Sequence, residues 1–292
     1  MLNSWWLPTL LSAIGLGIYD VCKKHAVKEN SVMPVLFLAT LCGSTFFVIF
    51  SALRGDLLPA IVCSTRDFSL VMLKSAIVSA SWICVYYAMR ELPISLASPI
   101  RSTSPLWTMI GGIAIFREIP TLWQAVGMAT ILIGYMLFSI LGKKEGFPWK
   151  SKGMQLIVAG TLLGAASALY DKFLLNTLQL DRQMLQLYFS LDLVLLLGAA
   201  WGLRTLFGHR HPFIWKWSIP ATGILLILAD YCYFYALSSE YAPISMISLL
   251  RRCSCAVSFF IGALIFRDKN IKAKSWALLL LIIGAALLAL AK

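Results

Sequence analysis

Five ionisable side chains stand inside apolar stretches of the sequence, far from polar loops. They are Arg101, Asp192, Asp230, Arg251 and Arg252. A guanidinium stays protonated and offers a planar set of donors that fits carboxylate or phosphate oxygens. Three arginines around one cavity would therefore select an anionic ligand. In the alternative interpretation the arginines pair with internal carboxylates and leave no net positive site. The carboxylates available for that pairing are Asp20, Asp171, Asp192 and Asp230.

Aromatic side chains with polar tips accompany these charges. Tyr231 and Tyr235 follow Asp230 at a spacing that puts both rings on one helix face, and Trp82, Tyr86 and Tyr87 stand at a corresponding depth of an earlier apolar stretch. Such rings hold a solute by stacking, hydrogen bonding or cation–π contact. We predict that these aromatics, with Asp230 and the three arginines, contact the substrate. The alternative is an aromatic belt or simple helix packing.

A Tyr-Asp pair occurs twice, as Tyr19-Asp20 and as Tyr170-Asp171, and lysines follow closely each time. An ionisable residue in a membrane helix is by default a functional hypothesis. The two pairs therefore predict a gate or a proton-coupling site. Alternatively, both aspartates lie at the membrane interface and extend towards the headgroups.

The composition predicts a membrane protein that holds these side chains on helices. Hydrophobic residues make up 60% of the 292 residues and charged residues 13%, against about 45–50% and about 25% in soluble domains. The apolar residues form blocks of about 20, the length that spans a bilayer as a helix. The predicted helices cover residues 4–25, 32–53, 69–89, 93–116, 120–141, 152–175, 183–204, 215–238, 242–266 and 273–291.

The sequence also repeats itself. Pro93-Ile94-Ser95 returns as Pro243-Ile244-Ser245, and Ile115-Phe116-Arg117-Glu118 returns as Ile265-Phe266-Arg267-Asp268. The two halves, 1–145 and 151–292, each hold five predicted helices. A repeat with an odd number of helices enters the membrane in opposite directions, as in secondary transporters. The predicted fold is an all-α membrane protein with ten transmembrane helices in two inverted five-helix repeats.

These motifs resemble the drug/metabolite transporter superfamily, in its EamA-type branch. The resemblance rests on Ala88, Pro93-Ile94-Ser95, Pro105, Phe116-Arg117-Glu118, Gln124, Gly127 and Gly134, with their counterparts in the second half. It implies a transporter of a small organic metabolite, since members of the superfamily move amino acids, choline, sugars, nucleotide sugars and phosphorylated metabolites. Arg101 and Arg251-Arg252 also resemble the phosphate-holding positions of the plastid phosphate translocators.

Several other functions are disfavoured. The net charge of +12 comes mostly from short loops, so we interpret it as a topology signal and expect no nucleic-acid partner. The sequence carries no ATP-binding loop, metal-ligand cluster or nucleophile–base pair, so we expect neither an enzyme nor a bound cofactor or metal. The seven cysteines are predicted to be free thiols.

The sequence thus predicts a secondary transporter that moves a metabolite with a phosphate or carboxylate group by alternating access. An exporter of amino acids or amphipathic compounds, or a lipid-headgroup carrier or flippase, are the alternatives. Expected partners are the small-molecule substrate, membrane lipid and a coupled proton or exchanged solute, and the expected state is a monomer or homodimer. We expect a multi-pass protein of the bacterial cytoplasmic membrane.

Positive charge is distributed unequally between the two predicted membrane faces. Loops after odd-numbered helices carry fifteen Lys and Arg residues, and the other face carries five. Because positive loops stay in the cytoplasm, this bias puts both chain ends outside it, although many relatives are described with both ends inside.

Overall fold

The computed structural model describes residues 5–27, 30–91, 100–101, 103–140, 151–207, 213–239, 242–254, 256–258, 261, 276, 279–280, 282–284 and 286–287. Within these ranges the chain is helical and contains no strand. The helices are α1 Trp6–Val27, α2 Val32–Leu53, α3 Leu57–Ile61, α4 Thr65–Glu91, α5 Ser104–Phe116, α6 Leu122–Ile140, α7 Lys152–Lys172, α8 Arg182–Leu206, α9 Ser218–Leu237 and α10 Ile244–Arg252.

Five of these helices are long and apolar enough to cross a membrane: α2, α4 over Thr65–Val85, α7 with its continuation to Thr177, α8 and α9. The all-helical class is therefore confirmed. The predicted segment 273–291 falls largely outside the described residues, so the count of ten and the inverted repeat stay predictions.

Three details differ from the predicted boundaries. The short helix α3 lies in what the sequence presents as a loop. Helix α4 begins at Thr65 rather than at residue 69. Helix α7 changes into a π-helix over Phe173–Thr177, a wider coil that often occurs at functional sites.

The chain divides into two compact units. Unit 1 comprises residues 1–79 and 171–240, and unit 2 comprises residues 80–170 and 241–292. Each unit combines segments from both sequence halves. The predicted boundary near residues 145–151 separates two repeated sequence halves, whereas the two units are defined by contacts within the fold. The repeat boundary therefore stays a prediction.

In unit 1, helix α9 packs against α1 and α2. The Ser12 hydroxyl on α1 donates to the Ala229 carbonyl at 2.7 Å. Gly43 on α2 faces Gly223 on α9 so closely that a Cβ on Gly43 would lie 2.6 Å from the Gly223 carbonyl oxygen. Small residues allow membrane helices to approach in this way. Helix α8 joins the same core, since the Ser44 hydroxyl on α2 donates to the carbonyl of Ser190.

Unit 2 has an apolar core between the second part of α4 and helix α7. Val85 and Ala88 pack with Met154 and Ile157. The Ser81 hydroxyl on α4 donates to the carbonyl of Gly160 on α7 at 2.7 Å. A polar group in the membrane interior is thereby satisfied inside the protein rather than exposed to lipid.

Candidate functional site

A buried ion pair lies in the interior of unit 1. The Lys74 Nζ atom is 2.9 Å from Asp171 Oδ1, and the side chains are only 1% and 8% exposed. Charged groups this far from water are stable only when they are paired and further held by polar or aromatic partners.

Two phenylalanine rings enclose the Lys74 ammonium. Its Nζ atom lies 3.6 Å from the ring centroid of Phe189 and 4.1 Å from that of Phe234. The faces of aromatic rings attract cations, and the attraction is strongest where water is excluded. The ammonium therefore meets one carboxylate and two ring faces.

The Asp171 carboxylate has a second partner. The Tyr233 hydroxyl donates to Asp171 Oδ2 at 3.1 Å. Lys74 comes from α4, Asp171 from the end of α7, Phe189 from α8 and Tyr233 from α9. Four helices thus meet at one pair of charges.

A second buried carboxylate, that of Asp192, is bound to the residue next to Lys74. The hydroxyl of Ser75, the residue after Lys74, lies 3.1 Å from Asp192 Oδ2 and donates to it. Gln186 lies on α8 between one and two turns before Asp192, and its side-chain amide donates to the carbonyl of Ile227 on α9. A polar seam therefore runs through the core of unit 1.

The other predicted site residues of unit 1 occupy varied environments. Asp230 is half-buried one turn before Tyr233 on α9. Tyr231 is half-buried against the edge of Phe50. Tyr235 is 47% exposed, and the Arg182 guanidinium lies 4.5 Å from its ring centroid. Tyr231 and Tyr235 therefore have different surroundings.

The two Tyr-Asp pairs also differ. Asp171 is buried in the ion pair, whereas Asp20 is exposed on α1. The Tyr19 ring lies 5.3 Å below the Lys23 ammonium, and Tyr170 is half-buried. Equivalent positions of the sequence repeat have unequal environments here.

Unit 2 holds all three predicted arginines. Arg101 is half-buried, and Arg251 and Arg252 are half-buried in the last turn of α10. Trp82 is half-buried and Tyr87 is 38% exposed on α4. The side chain of Tyr86 lies outside the described residues.

The start of α10, which carries Arg251 and Arg252, is held by Glu118. The Glu118 carboxylate accepts from the backbone N–H of Ile244 at 3.0 Å and from the Ser245 hydroxyl at 3.1 Å. A carboxylate at a helix N-terminus satisfies free N–H groups and complements the helix dipole. The two sequence motifs that repeat, around Glu118 and around Ile244-Ser245, therefore bind each other within unit 2.

Lys74 is the functional candidate that the sequence does not single out. The predicted helix 69–89 would put it near a polar end, where lysines are ordinary. In the structure α4 starts at Thr65, so Lys74 is its tenth residue and lies deep in the apolar span. The detectable signal was a lone lysine between Leu73 and Ser75 in an apolar run.

Chemically, the Lys74–Asp171 pair combines a cation and a carboxylate, each of which can bind an opposite charge or exchange a proton. Among the described residues no group of His, Cys, Asp or Glu could hold a metal ion. An exposed polar cavity of about 620 Å³ lies in unit 1 at the connection between α7 and α8. Neither Lys74 nor Asp171 lines it. Asn176, Gln179, Asp181, Arg182 and Gln183 contribute to its wall.

Comparisons with known proteins show a sequence similarity and a structural similarity. A model of the EamA-like transporter family matches residues 3–140. A solved structure described only as a crystal structure of a protein has a TM-score of 0.76 and 14% sequence identity, covering 98% of this chain and 96% of its own. At that identity the likeness shows the fold alone. No curated protein sequence matches this chain.

Proposed function

Because the chain belongs to the drug/metabolite transporter superfamily through its EamA-like first half, and so is a multi-pass membrane transporter, we propose that it is a secondary transporter of a small organic anion. The substrate carries a phosphate or carboxylate group. It moves by alternating access between the two inverted sequence halves, in the bacterial cytoplasmic membrane.

The arginines bind the anionic group of the substrate. The supporting observation concerns the aspartates that could neutralise the arginines, because two of them have other partners. Asp171 pairs with Lys74, and Asp192 accepts a hydrogen bond from Ser75. Two of the four available carboxylates thus have partners inside unit 1, which leaves fewer internal counter-charges for Arg101, Arg251 and Arg252 and is compatible with an anionic ligand.

The rest of the substrate contacts the predicted aromatic side chains, with Asp230 among them. Tyr19-Asp20 and Tyr170-Asp171 are the gating or coupling residues, and the driving force is a proton or an exchanged solute. Glu118 fixes the start of α10, which carries two of the arginines, so it is a positioning residue for the anion site.

A second candidate is an exporter of amino acids or amphipathic compounds. Tyr235 and Tyr87 favour it, since both present partly exposed rings with polar tips. Rings of this kind accept zwitterions and amphipathic cations as readily as anions.

Arg251→Gln tests the anion site. The purified protein is reconstituted in vesicles, and uptake of labelled organophosphates and carboxylates is measured beside thermal stabilisation by the same compounds. We expect affinity to fall about tenfold or more, because a charge-assisted hydrogen bond to a charged ligand is lost. The matched control is Arg66→Gln, which changes an exposed arginine of α4.

Unchanged uptake and unchanged stabilisation in Arg251→Gln, relative to Arg66→Gln, would refute the anion site. Stabilisation of the wild type by neutral or zwitterionic aromatic compounds alone would favour the exporter.

A further inference from the structure

We propose that Lys74 is an anion-binding residue whose internal counter-ion, Asp171, is displaced by an external anion and takes up one proton in exchange. This inference rests on the proposed function, because it takes the transported solute to be anionic. It adds a binding residue, the coupling ion and the stoichiometry.

The surroundings of Lys74 determine what can replace Asp171. The contacts of the ammonium include one carboxylate and two neutral rings. A buried cation without a counter-charge is very unfavourable. An anion in the place of Asp171 restores this counter-charge, and the Phe189 and Phe234 rings hold the ammonium while the exchange occurs.

The surroundings of Asp171 determine what happens to the displaced carboxylate. Apart from Lys74, its partner is the neutral hydroxyl of Tyr233. A buried carboxylate that loses its cation is neutralised by a proton. A carboxylic acid keeps an acceptor oxygen, so the hydrogen bond from Tyr233 survives the change.

Other titratable groups adjoin the pair from the same helices. Asp230 lies one turn before Tyr233 on α9, and Asp192 on α8 is bound to Ser75. Tyr170 and Lys172 flank Asp171 on α7, and no other charged residue of α4 stands within a turn of Lys74. The acidic side chain of Asp230 adds to the electrostatic cost of a free Asp171 carboxylate and so favours protonation of Asp171.

The exchange balances in charge and atoms. The contact between the Lys74 ammonium and Asp171 breaks, and a contact between the ammonium and the incoming anion forms. A proton from water makes an O–H bond on Asp171. The site is neutral before and after a monoanion binds, so each monoanion bound at Lys74 is accompanied by one proton from the solvent.

The neighbouring backbone can respond to this exchange. The π-helix begins at Phe173, two residues after Asp171. Asn176 within it donates to the carbonyl of Leu237 at 2.7 Å, at the end of the helix that carries Tyr233 and Phe234. A change at Asp171 thus acts directly on an irregular turn that is tied to α9.

The first test measures proton uptake by the wild-type protein. Acetate or inorganic phosphate, at matched ionic strength with chloride, is added to the purified full-length chain in weak buffer with a pH-sensitive dye. We expect one proton taken up per monoanion bound at Lys74, and an affinity of that site that falls about tenfold per pH unit at alkaline pH. Anion binding that depends on Lys74 but takes up no proton would overturn the proposal, and so would the absence of any binding that depends on Lys74.

The second test uses Asp171→Asn, which imitates the protonated acid. We expect this variant to bind the same anions without proton uptake and with an affinity that no longer depends on pH. If Asp171→Asn requires the anion to stay folded, its stabilisation by acetate or phosphate reports the same binding. Lys74→Gln with Asp171→Asn should remove proton uptake and the anion binding that depends on Lys74, while the binding that Arg251→Gln reports remains, and Asp67→Asn is the matched control.

The two proposals fail differently. If Arg251→Gln abolishes anion binding while Asp171→Asn keeps the proton uptake of the wild type, this inference is wrong and the proposed function stands. If no anion stabilises the wild type or any variant, the anionic substrate itself is wrong.

Discussion

At the scale of single residues, Lys74 shows how an apolar helix tolerates a charge. Moving an ammonium from water into the membrane interior costs several kcal/mol. Asp171 and the rings of Phe189 and Phe234 offset that cost together. Because each charge depends on the other, removing one partner leaves the other buried without compensation.

The stability of two variants tests this mutual dependence. We expect Lys74→Gln to lower the free energy of unfolding by about 3–5 kcal/mol, because Asp171 then remains buried without its cation. Adding Asp171→Asn should recover most of the loss, since a neutral amide pair needs no counter-charge. Denaturant unfolding in detergent measures both values.

Lys152→Gln, at the exposed start of α7, is the matched control and should stay near the wild type. Additive losses in the double variant would contradict mutual dependence of the two charges.

At the scale of elements, close crossings and caps determine where the functional helices lie. The crossing of α2 and α9 depends on Gly43 and Gly223, and a Cβ on Gly223 would collide with the Ala39 carbonyl. Helix α9 carries Asp230, Tyr233 and Phe234. A shift of α9 at this crossing therefore moves three side chains of the candidate site.

Gly223→Ala tests the crossing. We expect a loss of about 1–3 kcal/mol of stability, because the added methyl overpacks a backbone contact that cannot yield easily. The same change at Gly202 on α8 is the control, since nothing lies within 4 Å of a Cβ there. Both are measured by thermal unfolding in detergent, and equal midpoints for the two variants would show that the crossing tolerates a side chain.

Glu118 shows how a sequence motif becomes a structural contact. Arg117 adopts a left-handed conformation with φ of 55° at the end of α5, which turns the chain so that Glu118 reaches the N-terminus of α10. The counterpart motif at Arg267-Asp268 lies outside the described residues.

At the scale of the whole molecule, the loop charges predict the orientation. If the loops after odd-numbered predicted helices, such as the loop after 120–141, are cytoplasmic, a cysteine at Lys152 should resist a membrane-impermeant thiol reagent applied to intact cells. A cysteine at Leu58, an exposed residue of α3, should react. The background is a chain whose own cysteines are replaced by serine, and the reverse labelling pattern would invert the topology.

Bilayer-length apolar blocks and repeated motifs are properties of the chain order, so they sufficed to predict the membrane class, the resemblance to EamA-type transporters and most helix positions. Helix α2 agrees with its predicted range 32–53. Arg101, Arg251 and Arg252 stood out because a guanidinium in an apolar stretch is visible without any neighbours.

Which charges meet depends on how the helices pack. Lys74 and Asp171 are 97 positions apart in the sequence, and the rings around them come from two further helices. Helix start points are weakly encoded at the membrane edge. The four additional residues at the start of α4 make Lys74 the tenth residue of the helix, and packing against neighbouring helices buries it. Burial and counter-charges depend on the residues that pack around a side chain, whereas hydrophobic periodicity is a property of the sequence alone.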